Sequence, residues 1–283
     1  MSANPPLIHP GPAAPERHAA VPTRAALFDV TLAPGDCVER AILDAFAAQG
    51  FVSGWVRMDG LICDPLRYVL PAPSPTPDRL AWYSGTQAPD GPARTVQGYM
   101  SVGRRDGAAD THCHALWRLS DGGTALGHLL AGESRAARPA TLRAMGFHDA
   151  RFERRADPET RFDLFAATGT PSDRPDAVAV TLRPNESLAG TCRAICAGLG
   201  IAGADIVGLG SLNGAVFADG ARMRSPISEF LVRQGRIDGE EVTLDLGVVD
   251  AEGNRFDGPV DPGCAAVSVT AELVILPGRE AKR

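Results

Sequence analysis

The feature that most restricts the fold of this chain is an internal repeat. Thr31-Leu32-Ala33-Pro34-Gly35-Asp36 matches Thr181-Leu182-Arg183-Pro184-Asn185-Glu186 at an offset of 150 residues, and a repeat of this kind fixes domain count better than length does. A helix-like segment follows each match. In the first copy Val38, Ile42, Ala45 and Phe46 recur at helical spacing, and Gly50 stands where a C′ glycine would end the helix. In the second, Leu188, Cys192, Ile195 and Leu199 recur before Gly200. Each helix leads into a strand-like run, 51–58 and 201–209, closed by Gly60 and Gly210.

Beyond that point the offset changes. Gly132 aligns with Gly263 at 131 residues, so the first copy carries about 19 extra residues. Their predicted place is 71–77, where alternating prolines favour an extended loop and forbid a central strand. A polar Pro/Gly stretch at 168–175 separates the copies. Both copies continue in β-like text, such as 242–249 and 267–276. One helix followed by several strands predicts an α+β chain of two similar domains, each a mainly antiparallel sheet with one main helix. A parallel doubly wound sheet would need a helix between successive strands.

The expected boundaries are a disordered arm at 1–23, a first domain at 24–167, a linker at 168–175 and a second domain at 176–279. The arm reading rests on six prolines in the first 22 residues and on the lack of a basic-flanked apolar segment of the secretory kind. A length of 283 residues suits two domains. No apolar run approaches the roughly 18 residues of a membrane-spanning helix. Six scattered cysteines suit reduced thiols and a cytoplasmic location, with Cys192 and Cys196, one helical turn apart, read as buried small residues.

Chemistry concentrates in the first copy. Three of the six histidines, His112, His114 and His128, fall within 17 residues. A strand alternates faces, so His112 and His114 point the same way, and Asp121-Gly122-Gly123 is a hairpin turn returning the chain to His128. Register decides whether the third histidine joins them. An even loop puts His128 on the opposite face; a five-residue loop over 119–123 sets it across from His114 and diagonal to His112. Separations of about 5 and about 7–8 Å between such neighbours let three imidazoles converge on one ion. Neutral imidazoles suit Zn²⁺, and less selectively other divalent transition metals, while leaving a coordination position open. In the second copy these positions are Thr243, Asp245 and Pro259, so the chemistry is expected in the first domain.

At these residues the sequence resembles the PPC (plants-and-prokaryotes-conserved) family, as a tandem pair over about 24–279. The resemblance rests on the Leu-x-Pro-Gly-Asp start before the first helix, the His112-Cys113-His114 strand and Gly127-His128-Leu129-Leu130-Ala131-Gly132. Asp157-Pro158-Glu159-Thr160-Arg161-Phe162 also resembles the end of the first domain in bacterial tandem members. It implies an αβ-sandwich, homotrimeric or higher self-association, and a metal ligand role for His112, His114 and His128. Plant relatives carry AT-hooks, but no Arg-Gly-Arg-Pro core occurs here. The net charge of −6 opposes the counterion release that drives DNA affinity.

Two functions compete on this evidence. The first is a metal-dependent hydrolase or lyase acting on a small anionic organic acid, with Glu133 as the candidate base, Arg135 and Arg138 as carboxylate partners, and Tyr68, Trp82 and Tyr83 as pocket walls. The second is a non-catalytic binding or regulatory module associated with DNA. Its basic pairs, Arg104-Arg105 and Arg154-Arg155, are short and soon followed by aspartate.

Overall fold

The repeat becomes one strand order used twice. A computed structural model describes residues 4–278. The expected domain end at 279 and the first three residues of the arm lie outside the described ones. β1 (His18–Thr23) precedes the first copy, which runs through β2 (Ala25–Leu32), α1 (Val38–Ala48), β3 (Gly54–Arg57), and the short β4 (Ile62–Cys63) and β5 (Tyr68–Val69). It continues through the hairpin β6 (Pro71–Pro73) and β7 (Ala81–Tyr83) to β8 (Ala93–Arg105), β9 (Ala108–Arg118), β10 (Thr124–Leu129) and β11 (Ala140–Phe147). The hairpin β12 (Ala150–Ala156) and β13 (Asp163–Gly169) then leads to the second copy. That copy comprises β14 (Ala177–Leu182), α2 (Leu188–Gly198), β15 (Gly203–Leu212), the small β16 (Ala215–Val216) and β17 (Arg222–Met223), β18 (Ser228–Asp238), β19 (Glu241–Asp250), β20 (Arg255–Pro259) and β21 (Val267–Pro277).

In space the first sheet reads β2-β11-β3-β8-β9-β10 and the second β14-β21-β15-β18-β19-β20. With the short β4–β7 and β16–β17 left out of the count, both are strands one, six, two, three, four and five of their copy. The pairings along both paths are antiparallel. The described residues are therefore mostly antiparallel sheet with two helices.

Each helix lies where its apolar spacing directs it. α1 buries Val38, Ile42 and Phe46 in a core with Val30, Val56 and Met100, and each such side chain stabilises the fold by about 1.5–3 kcal/mol. α2 starts on Ser187, whose hydroxyl accepts from the Gly190 N–H, and buries Leu188, Cys192 and Ile195 in the second core. Leu199, read from the sequence as part of that stripe, is the C-cap and is 42% exposed. Cys192 and Cys196 are buried free thiols. A third core joins the two sheets: Trp55, Tyr99 and Leu116 of the first pack with Leu209, Leu231 and Val274 of the second. The sheets thus meet face to face with the helices outside.

Two expectations need correction. Residues 18–23 are not disordered: β1 pairs antiparallel with β14, from His18 opposite Leu182 to Thr23 opposite Ala177. Pro22 is compatible because β1 is the edge of its sheet, where a missing N–H costs no ladder bond. Upstream, Arg17 donates to both oxygens of Glu159 at 2.7 and 3.0 Å, and Asn185 and Leu7 exchange hydrogen bonds, which straps the segment across the second copy. The Pro-rich insertion, expected as a loop, forms the β6–β7 hairpin with Pro71 opposite Tyr83.

Candidate metal centre

The β9–β10 hairpin sets the register. Arg118 pairs with Thr124 and His114 with His128, leaving a five-residue loop at 119–123. The Leu119 N–H donates to the Gly123 carbonyl at 2.9 Å, and Gly122 takes the left-handed backbone (φ 85°) that the turn needs. His128 therefore stands across from His114 on the face that carries His112, while Cys113 points into the first core. Ring centroids are 4.8 Å (His112–His114), 5.0 Å (His112–His128) and 5.6 Å (His114–His128) apart. One ligand nitrogen from each ring lies within 4.8 Å of the others.

The second copy fixes these rings. Glu272 of β21 accepts from His112 Nδ1 at 2.8 Å, and its other oxygen accepts from the Ser101 hydroxyl. The Phe230 carbonyl of β18 accepts from His114 Nδ1 at 2.9 Å. A carbonyl can only accept, so His114 carries its proton on Nδ1, and the Glu272 carboxylate accepts from His112 Nδ1 in the same way. The two Nε2 atoms then face each other at 3.2 Å. A proton shared between them or a cation held by both bridges nitrogens at that distance. Burial, reinforced by the neighbouring His112, holds His114 and His128 well below the usual histidine range and keeps them neutral. His128 Nδ1 is buried without a hydrogen-bond partner. This donor set fits a zinc-type ion, with outer-shell acceptors of the kind that orient metal-bound histidines.

A second carboxyl completes the floor. Glu229 of β18 lies 4.0 Å from His114 Nε2 and is almost fully buried, with Oε2 unpartnered. Burial pushes its carboxyl well above the usual range. Both glutamates, His112 and His114 open on a cavity of about 70 Å³, also lined by Arg154, Tyr83 and Trp82. Tyr83 is 37% exposed as a residue, yet its phenol end is enclosed, and burial beside Glu229 raises its ionisation well above the ordinary tyrosine value. Its ring lies 5.2 Å from that of His128.

The remaining candidates fall elsewhere. Glu133 is exposed on the turn after β10, whose strand ends at Leu129, and it does not line the cavity; that turn carries it away from the histidine face. The assignment of Glu133 as base is thereby corrected. Arg135 is exposed and donates to the Gly35 carbonyl, Arg138 is exposed, and Tyr68 packs against Trp117 in the first core. The expectation of a site made by the first copy alone is also corrected, since Glu229, Glu272 and the Phe230 carbonyl belong to the second. An acidic residue inside the aliphatic run 267–276 was the sequence signal that could have found Glu272. In the second copy, Asp245 pairs with Pro259 in the register of His114 and His128, and its carboxylate meets Arg233 at 3.4 Å.

No protein-family profile matches the chain, and no curated protein matches it. Solved structures do. A metal-containing protein from Archaeoglobus fulgidus is 18% identical with a TM-score of 0.42, covering 50% of this chain and 92% of that one. A plant- and prokaryote-conserved (PPC) protein from Pyrococcus horikoshii is 15% identical with a TM-score of 0.41, covering 52% of this chain and 94% of that one. Likeness at this level leaves the chemistry to the site's own residues.

Proposed function

We propose that the chain is a metal-dependent enzyme, a hydrolase or lyase acting on a small anionic organic acid, with zinc held by His112, His114 and His128. The observation that carries this reading is the convergence of three imidazoles, with two Nε2 atoms 3.2 Å apart, at the floor of a cavity beside a buried carboxyl that has one oxygen unpartnered. Zinc at such a position supplies Lewis acidity, polarising a carbonyl oxygen and acidifying water.

The chain's own residues do the rest. Glu272 and the Phe230 carbonyl hold two imidazoles in the ligating tautomer. Glu229, whose carboxyl burial pushes above the usual range, gives a proton to a leaving oxygen and takes one back, the role first sought in Glu133. The Tyr83 phenol stays protonated and donates to a substrate oxygen. Arg154 sets a guanidinium in the cavity wall to meet a carboxylate, held from behind by Asp110 at 2.7 Å.

The same reading treats the copies as a tandem pair of PPC-like units in which the second has given up its histidines and keeps the supporting carboxylates. The shared strand order supports it. The competing DNA-associated reading draws little from the basic pairs, because Arg105 is engaged by Asp163 and Arg154, mostly buried, lines the cavity.

Elemental analysis tests the metal. About one zinc per chain is expected in the purified protein and almost none in a His112→Ala, His114→Ala variant. Equal, negligible metal in both sinks the proposal. Turnover in a panel of small carboxylic acid derivatives should vanish on chelation and return with zinc.

A further inference from the structure

The cavity beside the histidines has two chemically different ends. One holds His112 and His114 with Glu229, Glu272 and Arg154. The other is apolar. Ala81, Ile227 and Val269, each 9% exposed or less, form with Phe162 and Leu164 a small cluster separate from the three main cores, and all five line the cavity. Ala81 comes from the insertion hairpin, Ile227 and Val269 from the second copy, and Phe162 and Leu164 from the segment between the copies. The hairpin is fastened over this end: Trp82 packs on Phe162 with centroids 5.8 Å apart, and the Arg79 guanidinium lies 4.6 and 5.5 Å from the two rings.

We infer that this cavity takes a short aliphatic monocarboxylic acid, its carboxylate toward the histidines and Arg154 and its tail against Ala81, Ile227 and Val269. The inference rests on the metal-site reading above and names a ligand of that site, the acid that a hydrolase acting on an acyl ester or amide would release. Size supports it. At about 70 Å³ the space admits about five to seven water-sized groups, enough for a carboxylate and a tail of a few carbons. Charge narrows it further. Arg154 is the one Arg or Lys among the described residues lining the cavity, and Asp163, Glu229 and Glu272 share that lining. A second carboxylate on the ligand would be buried against apolar side chains with no cation to meet it, which is costly.

The test uses the full chain loaded with zinc, with zinc content measured on the same sample, and calorimetric titration with acetate, butyrate, pentanoate and succinate. Butyrate or pentanoate is expected to bind at least about tenfold more tightly than acetate, since one methylene in an apolar pocket is worth about tenfold or more. Succinate, four carbons long like butyrate, is expected to bind at least about tenfold more weakly than butyrate. Ile227→Trp fills the tail end and should abolish butyrate binding with zinc retained. Should that variant fail to fold, Ile227→Ala enlarges the same end and should shift preference toward hexanoate. Succinate binding as tightly as butyrate to the zinc-loaded protein, or a preference unmoved by either variant, overturns this inference alone. A purified chain that takes up no zinc overturns the metal reading and this inference with it.

Discussion

Glu272 of the second sheet accepts a hydrogen bond from His112 of the first, Nδ1 to Oε1 at 2.8 Å. Through this contact the copy without histidines sets the orientation of a histidine in the copy that has them. Thr243, Asp245 and Pro259 stand where the first copy has its histidines, whereas the carboxylate buried in β21 is paired across the sheet-to-sheet interface, with His112 and Ser101.

Glu272→Ala should therefore weaken zinc binding by about 10–100-fold, the usual cost of losing an outer-shell partner. Competition against a chromophoric chelator measures it. Glu272→Gln, whose amide oxygen still accepts from Nδ1, should lie between the two. An Ala variant with wild-type affinity would show that the contact does not orient the ligand.

The buried histidines fix how stability of the chelated protein depends on pH. His114 and His128 titrate well below their unfolded value of about 6.5, so in that interval the unfolded chain binds protons that the folded chain does not. Stability then falls as pH drops below about 6.5, by up to about 1.4 kcal/mol per pH unit for each imidazole, and is fully present above it. Glu229, raised in the fold, acts in the opposite sense above about pH 4.5. Replacing both histidines with Gln should flatten the acid limb of a denaturant-midpoint-against-pH plot. An unchanged limb would mean that the imidazoles are not held neutral.

The N-terminal strap has its own signature. Arg17 grips Glu159, whose side chain is 5% exposed, so Arg17→Ala removes its two shortest hydrogen bonds, leaving the Ala14 N–H at 3.1 Å and Arg183 at 3.7 Å, and should cost about 1–3 kcal/mol. Although burial opposes it, the Arg17 guanidinium holds Glu159 below the usual carboxylate range. The stabilisation is present above the unfolded pKa of about 4.3 and is lost as pH falls through the lower folded value. Urea titrations at pH 7 and near pH 3 check both statements: the gap between wild type and variant should be wide at the first and shrink at the second.

Much of this was legible in the chain, and what was not has a common cause. Helix period is a local property, so Val38, Ile42 and Phe46 announced α1. Loop parity is local too, so five residues between Arg118 and Thr124 placed His128 beside His114. Glu272 lies 160 residues from His112 in sequence, and its meeting with that ring depends on two sheets stacking face to face, which no short pattern encodes. Glu133 misled because nearness in sequence to His128 stood in for nearness in space; β10 ends at Leu129 and the next turn leaves the site. β1 hid behind a Pro-rich start, and its own Pro22 is one that an edge strand accepts.

The shared register allows the lost triad to be rebuilt. Asp245 faces Pro259 as His114 faces His128, and Thr243 precedes Asp245 by two residues as His112 precedes His114. Thr243→His, Asp245→His and Pro259→His together place three imidazoles on one face of the second sheet. The position equivalent to Glu272 in the first copy is Thr141, since Thr31 pairs with Thr141 as Thr181 pairs with Glu272. Threonine offers no carboxylate to orient the new ring, and Asp245, which meets Arg233, is spent in the exchange. The triple variant should therefore bind a second zinc, about 10–100-fold more weakly than the first. Titration with a chromophoric zinc competitor resolves two classes of site if this is right. Two sites of equal affinity would mean that histidine spacing alone makes the centre, and that the carboxylates of the second copy contribute nothing to it.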